Sequence, residues 1–285
     1  MLVNFTVGNF LSFREKKTLS LEASAIKDAG SQVIEVGKLQ LLPSAALYGA
    51  NSSGKSNFLK ALGVFSGIVS FSSSANSIGR LPASPFLLNK KGETEPCFFE
   101  IDVITSEATT HYRYGFECTA AAVEREWLYR IGPRSEKCLF VREKNDIGIT
   151  SAFPEGKGLE ERTRSNALFL SVCDAFNGII AKEVVRNIVI PPIPDNPREL
   201  IGFHNDLNKE TDKYLTKKAN DIFRKLDIGF TSFEIPQSET EARDVKAWTM
   251  HNVYDEDGAV IGAKRFPMST YESTGTNRLF DIIYL

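Results

Sequence analysis

An α/β fold is predicted for this chain, with an antiparallel β meander and a helical insertion. Three observations predict it. "LYGANSSGKSNFLKAL" (47–62) sets a glycine-rich turn between a short apolar run and a stretch with helical spacing. Four segments rich in β-branched and aromatic residues follow one another at 97–104, 111–118, 123–131 and 137–142, with turn sequences between them. From residue 163 the apolar period becomes that of a helix, until the prolines of "PPIPDNP" (191–197) interrupt it.

Taken in order, residues 2–8 ("LVNFTVG") alternate apolar and polar, as a half-buried strand does, and 17–22 ("KTLSLE") repeat the pattern. "NFLSF" lies between them as a turn, which makes an opening hairpin. "SAALYGA" (44–50), apolar and ending in glycine, predicts a buried strand. Residues 54–71 carry Phe58, Leu59, Leu62, Phe65, Ile68 and Val69 at helical spacing, and "SSSANSIGR" (72–80) predicts a polar, mobile loop. The four strands of the meander are joined by turns at "SEAT" and "GPRSEK". Residues 163–177 predict a helix with Ser165 as its N-cap, and 178–189 continue it. Proline cannot continue a helix and biases the residue before it to extended geometry, so 191–197 read as a hinge or lid connection. Residues 207–226 are again helical, 228–235 and 244–253 are strands, "DEDG" (255–258) is a hairpin turn, and 259–265 is its second strand. "YESTGTNRLFDIIYL" closes as a loop and then a helix. Three regions follow: an N-terminal lobe over 1–160, a helical insertion or lid over 161–227, and the start of a second lobe over 228–285. No internal repeat or coiled-coil heptad run is visible.

Bulk properties exclude several classes of function. There are 34 Lys+Arg against 36 Asp+Glu, a net charge of −2, so no overall positive field draws the chain to nucleic acid or to an anionic membrane. Its basic residues, such as Lys16, Lys17, Lys90, Lys91, Lys217 and Lys218, come in pairs, as on a solvated face. Nucleic acid as a partner stays open, unsupported by charge. The hydrophobic fraction of 42% is that of a globular protein able to bury a core. Cys97, Cys118, Cys138 and Cys173 form no C-x-x-C and have no histidine at ligand spacing, which predicts free thiols in a reducing cytosol. His111, His204 and His251 are scattered, which argues against a zinc site or a histidine-based dyad. The N-terminus lacks the pattern of a signal peptide, and no segment approaches the roughly 18 apolar residues of a membrane span. A soluble, cytoplasmic protein is expected.

The chemistry is carried by two motifs. Gly49, Gly54, Lys55 and Ser56 hold the fixed positions of G-x-x-x-x-G-K-S. The glycines let the backbone turn tightly, so that successive N–H groups point inward at phosphate oxygens. The following helix adds its N-terminal dipole and free amides. Lys55 reaches the β- and γ-phosphates, and the Ser56 hydroxyl ligates Mg²⁺. Gly49, Ala50, Asn51, Ser52, Ser53, Gly54, Lys55, Ser56 and Asn57 are therefore expected to cradle a nucleotide. The second motif is "ESTGTNRLF" (272–280), in which Ser273, Gly275 and Thr276 open a helix. An ordinary N-cap and an anion-binding helix end both fit those residues.

In sequence order, "NFLSF", "LYGANSSGKSNFLKAL", "SPFLLN", "FFEID", "YRYGFE", "EWLY", "RSNALFLSV", "AKEV" and "ESTGTNRLF" span essentially the whole chain. With them the chain resembles a prokaryotic family of stand-alone AAA/ABC-like ATPases, related to the OLD, RecF and SMC proteins. Several members are linked to phage defence or abortive infection. The resemblance implies a P-loop NTPase head of the ABC/SMC type, with ATP and Mg²⁺ bound at Gly49 to Ser56. It implies a homodimer or larger assembly in which Ser273, Gly275 and Thr276 of one copy touch the ATP of another. It also brings Asn9 and its neighbours towards the base or ribose.

One departure bears on catalysis. In that family the helix after the signature leads to an apolar strand ending in Asp-Glu, the Walker B motif, whereas this sequence stops at Leu285 within the signature helix. "FFEID" (98–102) precedes the signature, and "LFLSVCD" (168–174) is helical by pattern, so neither qualifies. Without an acidic group to hold the Mg²⁺ shell and orient water, hydrolysis by this polypeptide alone is expected to be very slow, and no catalytic residue is assigned. A catalytically silent, nucleotide-dependent interaction module is the alternative, as is a subunit of a split ATPase whose partner supplies the C-terminal lobe. A GTPase is disfavoured: "LNKKG" (88–92) and "LNKET" (207–211) lack the aspartate of N-K-x-D.

Overall fold

The computed structural model describes residues 1–24, 33–50, 53–105, 110–189, 217, 220–225, 229–235 and 247–283. The chain divides into two compact units. The first comprises Met1–Leu47, Asn57–Phe86 and Thr94–Ile193; the second comprises Tyr48–Ser56, Leu87–Glu93 and Pro194–Leu285.

The first unit is built on a seven-stranded antiparallel sheet, β2-β1-β5-β6-β7-β8-β9. Its strands are β1 (Leu2–Gly8), β2 (Lys17–Ser20), β5 (Cys97–Ile104), β6 (His111–Cys118), β7 (Val123–Ile131), β8 (Glu136–Glu143) and β9 (Asp146–Ile149). The opening hairpin and the meander both form as the alternation predicts, with Phe5 opposite Leu19 on one side of β1 and opposite Ile101 on the other. A small hairpin of β3 (Ile34–Val36) and β4 (Leu39–Leu41), turned by Gly37 at φ 63°, has no counterpart in the sequence reading.

Helix α1 (Lys55–Phe71) supplies the core of this unit. Phe58, Leu62, Phe65, Ile68 and Val69 are buried at the predicted spacing, while Leu59 stays exposed. Phe65 stacks on Phe116 at 5.5 Å and meets Phe5 edge-on at 5.7 Å. Burial of each such ring is worth about 2–3 kcal/mol, so this face alone explains why α1 stays on the sheet. α2 (Lys90–Thr94) is a single turn; α3 (Phe169–Ala175) and α4 (Ile179–Ile188) pack into the same core through Phe169, Leu170, Ala181, Val184 and Ile188.

Three local expectations are corrected. First, residues 44–49 are not a strand, and 43–50 are exposed, Tyr48 to 92%. An apolar run becomes a buried strand only beside a partner strand, and among the described residues none pairs with it; β1 already has β2 and β5 on its two sides. Second, Ser165 is not the N-cap of a helix. α3 starts four residues later, where the Glu126 carboxylate accepts the amides of Phe169 at 2.7 Å and Leu170 at 2.9 Å. A long-range carboxylate does the work that a local hydroxyl was expected to do. Third, the 72–80 loop is tied down: Asn166 Nδ2 donates to Asn76 O and Gly79 O, both at 2.9 Å, and Arg164 donates to Ser73 O and Ala75 O.

The second unit contains a three-stranded antiparallel sheet of β10 (Ser232–Glu234), β11 (Trp248–Tyr254) and β12 (Val260–Pro267). "DEDG" makes the predicted turn, with Asp255 Oδ1 accepting the amides of Asp257 and Ala259. The short helix α5 (Met268–Tyr271) precedes α6 (Thr274–Ile283). Phe223, Phe230, Phe233, Ala247, Met268 and Phe280 form the core of this unit. Residues 220–225 are helical, and Asn220 clasps the backbone of Phe233 with both atoms of its amide. The hinge expected at 191–197 and most of the helix expected at 207–226 lie outside the described residues.

Candidate functional site

The glycine-rich loop folds as its residue types require. Gly54 has φ 89°, the left-handed region that a side chain opposes. At Gly49 a Cβ would lie 2.8 Å from Ser53 Oγ, so glycine leaves that hydroxyl room inside the turn. The Ser53 amide bonds Ala50 O at 3.3 Å, which draws the turn together. Lys55 heads α1 and curls back over the loop, its Nζ 2.8 Å from Gly49 O and 2.6 Å from Ala50 O. Ser53 Oγ is 3.5 Å from the same ammonium.

Electrostatically the loop favours an anion. The first turn of α1 carries no acidic residue, so nothing opposes the partial positive charge of its free amides. The lysine adds a full charge on the same loop, and Ser56 is exposed in the first turn of the helix. A tight glycine turn, a lysine over it and a serine next in the helix form a donor set that fits the phosphates of a nucleotide, with Mg²⁺ on the serine. Asn51 and Ser52 lie outside the described residues. Asn57 donates from Nδ2 to Ser12 Oγ at 3.0 Å.

The signature-like segment is placed with equal definition. Ser273 Oγ accepts the Thr276 amide at 3.0 Å and lies 2.9 Å from Thr276 Oγ1, so Ser273 caps α6. Thr276 is 1% exposed. Thr274 and Gly275 are the exposed residues of this turn. Asn277 Nδ2 is shared among the carbonyls of Met268, Glu272 and Ser273.

Asn9, expected near the base or ribose, is instead a structural pin. It sits at φ 43° and is 8% exposed, and its amide donates to Glu95 O and accepts from the Phe86 N–H. The aspartates of the two segments rejected as Walker B lie on a sheet strand and in a helix: Asp102 on β5, 3.1 Å from Arg113 Nε, and Asp174 in α3. The four cysteines are free, and burial pushes the Cys97 thiol up to about 12, which makes it an inert core group.

Two polar clusters carry no sequence signal. In the first unit Arg142 and Glu126 are both fully buried, 3.5 Å apart. Arg142 donates to the carbonyls of Lys144, Ala167 and Arg164, and Glu126 accepts from Tyr114 Oη at 3.0 Å in addition to the α3 amides. Burial pushes the Glu126 carboxyl upward, with Arg142 and the two amides pulling the other way. In the second unit Glu272 Oε1 lies 2.8 Å from both His251 Nε2 and Thr249 Oγ1. Bonded partners lie up to 44 residues apart in the first cluster and up to 23 in the second, at spacings that match no motif, so only the fold reveals them.

Residues 44–170 match a family model described as "AAA domain, putative AbiEii toxin, Type IV TA system". The match includes the glycine-rich loop and the meander, and it supports an ATPase type of the AAA, P-loop kind with nucleotide binding as its function. The mixed α/β architecture with its mainly antiparallel sheet is consistent with such a domain. No curated protein matches the chain. Among the described residues, no helix is long and apolar enough to cross a membrane.

Proposed function

We propose that this chain is the nucleotide-binding part of an ATPase of the ABC/SMC kind, related to the OLD and RecF proteins and working in defence against phage. The observation that carries the reading is the cradle itself: Gly54 in the left-handed region, Gly49 close against the Ser53 hydroxyl, and Lys55 folded over the loop at the head of α1. Lys55 and the loop amides hold the phosphates, and Ser56 offers its hydroxyl to Mg²⁺. Bound Mg-ATP supplies the charge around which two copies assemble. Ser273 and the exposed Gly275 of a second copy meet that charge from the start of α6, with Thr276 supporting the serine hydroxyl from behind. No acidic side chain of this chain is assigned to hydrolysis.

Two substitutions test the reading on the purified chain. Lys55→Ala is expected to abolish binding of a fluorescent ATP analogue; undiminished binding would sink the proposal. Ser273→Arg is expected to leave that binding intact and to block ATP-dependent association in sedimentation velocity.

A second reading is a nucleotide-dependent module that works through a partner, without turnover of its own. The exposed apolar run at 44–50 favours it, since that backbone offers hydrogen bonds which no described strand takes up. Steady ATP turnover by the purified chain, lost in Lys55→Ala, excludes this alternative.

A further inference from the structure

The start of α6 is held by more than its cap. Ser273 alone satisfies the capping geometry, yet the residue before it, Glu272, turns its carboxylate away from the helix and into the sheet. There its side chain is 4% exposed and receives two hydrogen bonds on one oxygen, from Thr249 Oγ1 and His251 Nε2. Toward an ionised carboxylate, which only accepts, His251 Nε2 is the donor of this pair. The imidazole is itself held, with the rings of Phe230 and Phe266 at 6.0 and 5.4 Å, and Phe266 also packs on Tyr271 at 4.8 Å. A buried carboxylate with polar partners costs desolvation that an apolar residue in the same place would avoid. What the arrangement supplies is a fixed position for residues 272–275 over β11 and β12, directional in a way that apolar packing is not.

We infer that His251, acting through Glu272, is a positioning residue for the start of α6, holding the exposed Thr274–Gly275 turn in the orientation that a nucleotide on a second copy requires. This rests on the sandwich reading proposed above. The cluster is distant from the glycine-rich loop in sequence and, among the described residues, shares no hydrogen bond with it, so nucleotide binding and the presentation of α6 are separable properties.

The test compares His251→Leu, which removes the donor, with His251→Gln, whose side-chain amide can still donate to Glu272. Losing a charge-assisted hydrogen bond at a buried carboxylate is expected to speed amide exchange of peptides covering 271–278 roughly tenfold or more in His251→Leu, with peptides of the seven-stranded sheet unchanged. ATP-analogue binding stays within about twofold, and ATP-dependent association weakens by about tenfold or more. His251→Gln restores both exchange protection and association. Wild-type exchange over 271–278 in His251→Leu overturns the inference. So does a loss of protection throughout the chain that His251→Gln fails to rescue, since that marks a merely structural contact. If the wild-type chain fails to associate with ATP, the sandwich reading falls, and the exchange comparison alone then decides whether His251 positions α6.

Discussion

Arg142 and Lys55 both rest on main-chain carbonyls, and they do opposite things. Arg142 is fully buried and spends its guanidinium on three carbonyls and on Glu126. Its bonds to Arg164 O and Ala167 O join β8 to the approach of α3, its bond to Lys144 O holds the turn after β8, and removing it would strand the Glu126 carboxylate of β7 in the core. Lys55 makes comparable contacts to Gly49 and Ala50, but on an exposed loop where a solvent-borne group can reach the same ammonium. A cation bound to carbonyls inside the protein is architecture, because the desolvation already spent on it makes any rearrangement costly. The same cation at the surface stays available to a ligand, because its protein contacts are individually weak and an anion would outcompete neutral carbonyls.

That contrast can be broken in four places. The largest effect is expected from Arg142→Met, which leaves Glu126 buried without its counter-charge: a loss of about 3–5 kcal/mol in urea unfolding, large enough to abolish folding of the first unit in a marginal protein. A loss below about 1 kcal/mol would show that Arg142 is not the architectural cation described. Lys55→Ala is expected to invert the pattern, with stability changed by no more than about 0.5 kcal/mol and binding of the ATP analogue abolished. Parallel losses of stability and binding would erase the distinction between the two cations. Gly49→Ala sharpens it further: its Cβ would lie 2.8 Å from Ser53 Oγ and displace that hydroxyl from its place 3.5 Å from the Lys55 ammonium. ATP affinity should fall about tenfold, with thermal unfolding unmoved, since the loop carries little of the core.

The smallest effect concerns Glu100 on the outer face of β5. Burial pushes its carboxyl above the usual range, against the Trp127 Nε1–H bond at 2.8 Å and nearby Arg113. A carboxyl whose folded pKa is raised contributes stability that is complete below its unfolded pKa and is lost as the pH rises through the folded value. Glu100→Gln keeps an acceptor for Trp127 and removes that loss. Stability measured from about pH 4 to about pH 7 should therefore decline less steeply, or rise more steeply, in the variant than in wild type. An identical slope would show that the carboxyl is not held high.

Much of this architecture was legible before any coordinates. The alternation of 2–8 and of the four meander segments appears as paired strands, and five of the six apolar positions marked on α1 are buried. These succeed because period two and period 3.6 are local consequences of backbone geometry and need only one apolar side to be satisfied. The failures share a cause as well. "SAALYGA" reads as a strand because its composition is right, but a strand needs a neighbour, and neighbours are not written in the segment. Ser165 reads as a cap because serine caps helices, yet the amides of α3 found a better acceptor in Glu126, 43 residues away from Phe169.

Sequence alone was enough to place the glycine-rich loop at the head of α1, with Lys55 in its first turn, and the turn at 272–276 as a helix start. In each case the chemistry depends on residues within one or two turns of one another, so spacing carries the geometry. Tertiary structure decided that Asn9 pins a turn, that Thr276 faces inward, that Glu126 heads a helix with Arg142 behind it, and that Glu272 reaches across to His251 and Thr249. Those are partnerships between distant residues, set by which surfaces the packed core brings within about 3 Å, the range in which a buried polar group can replace the water it has lost.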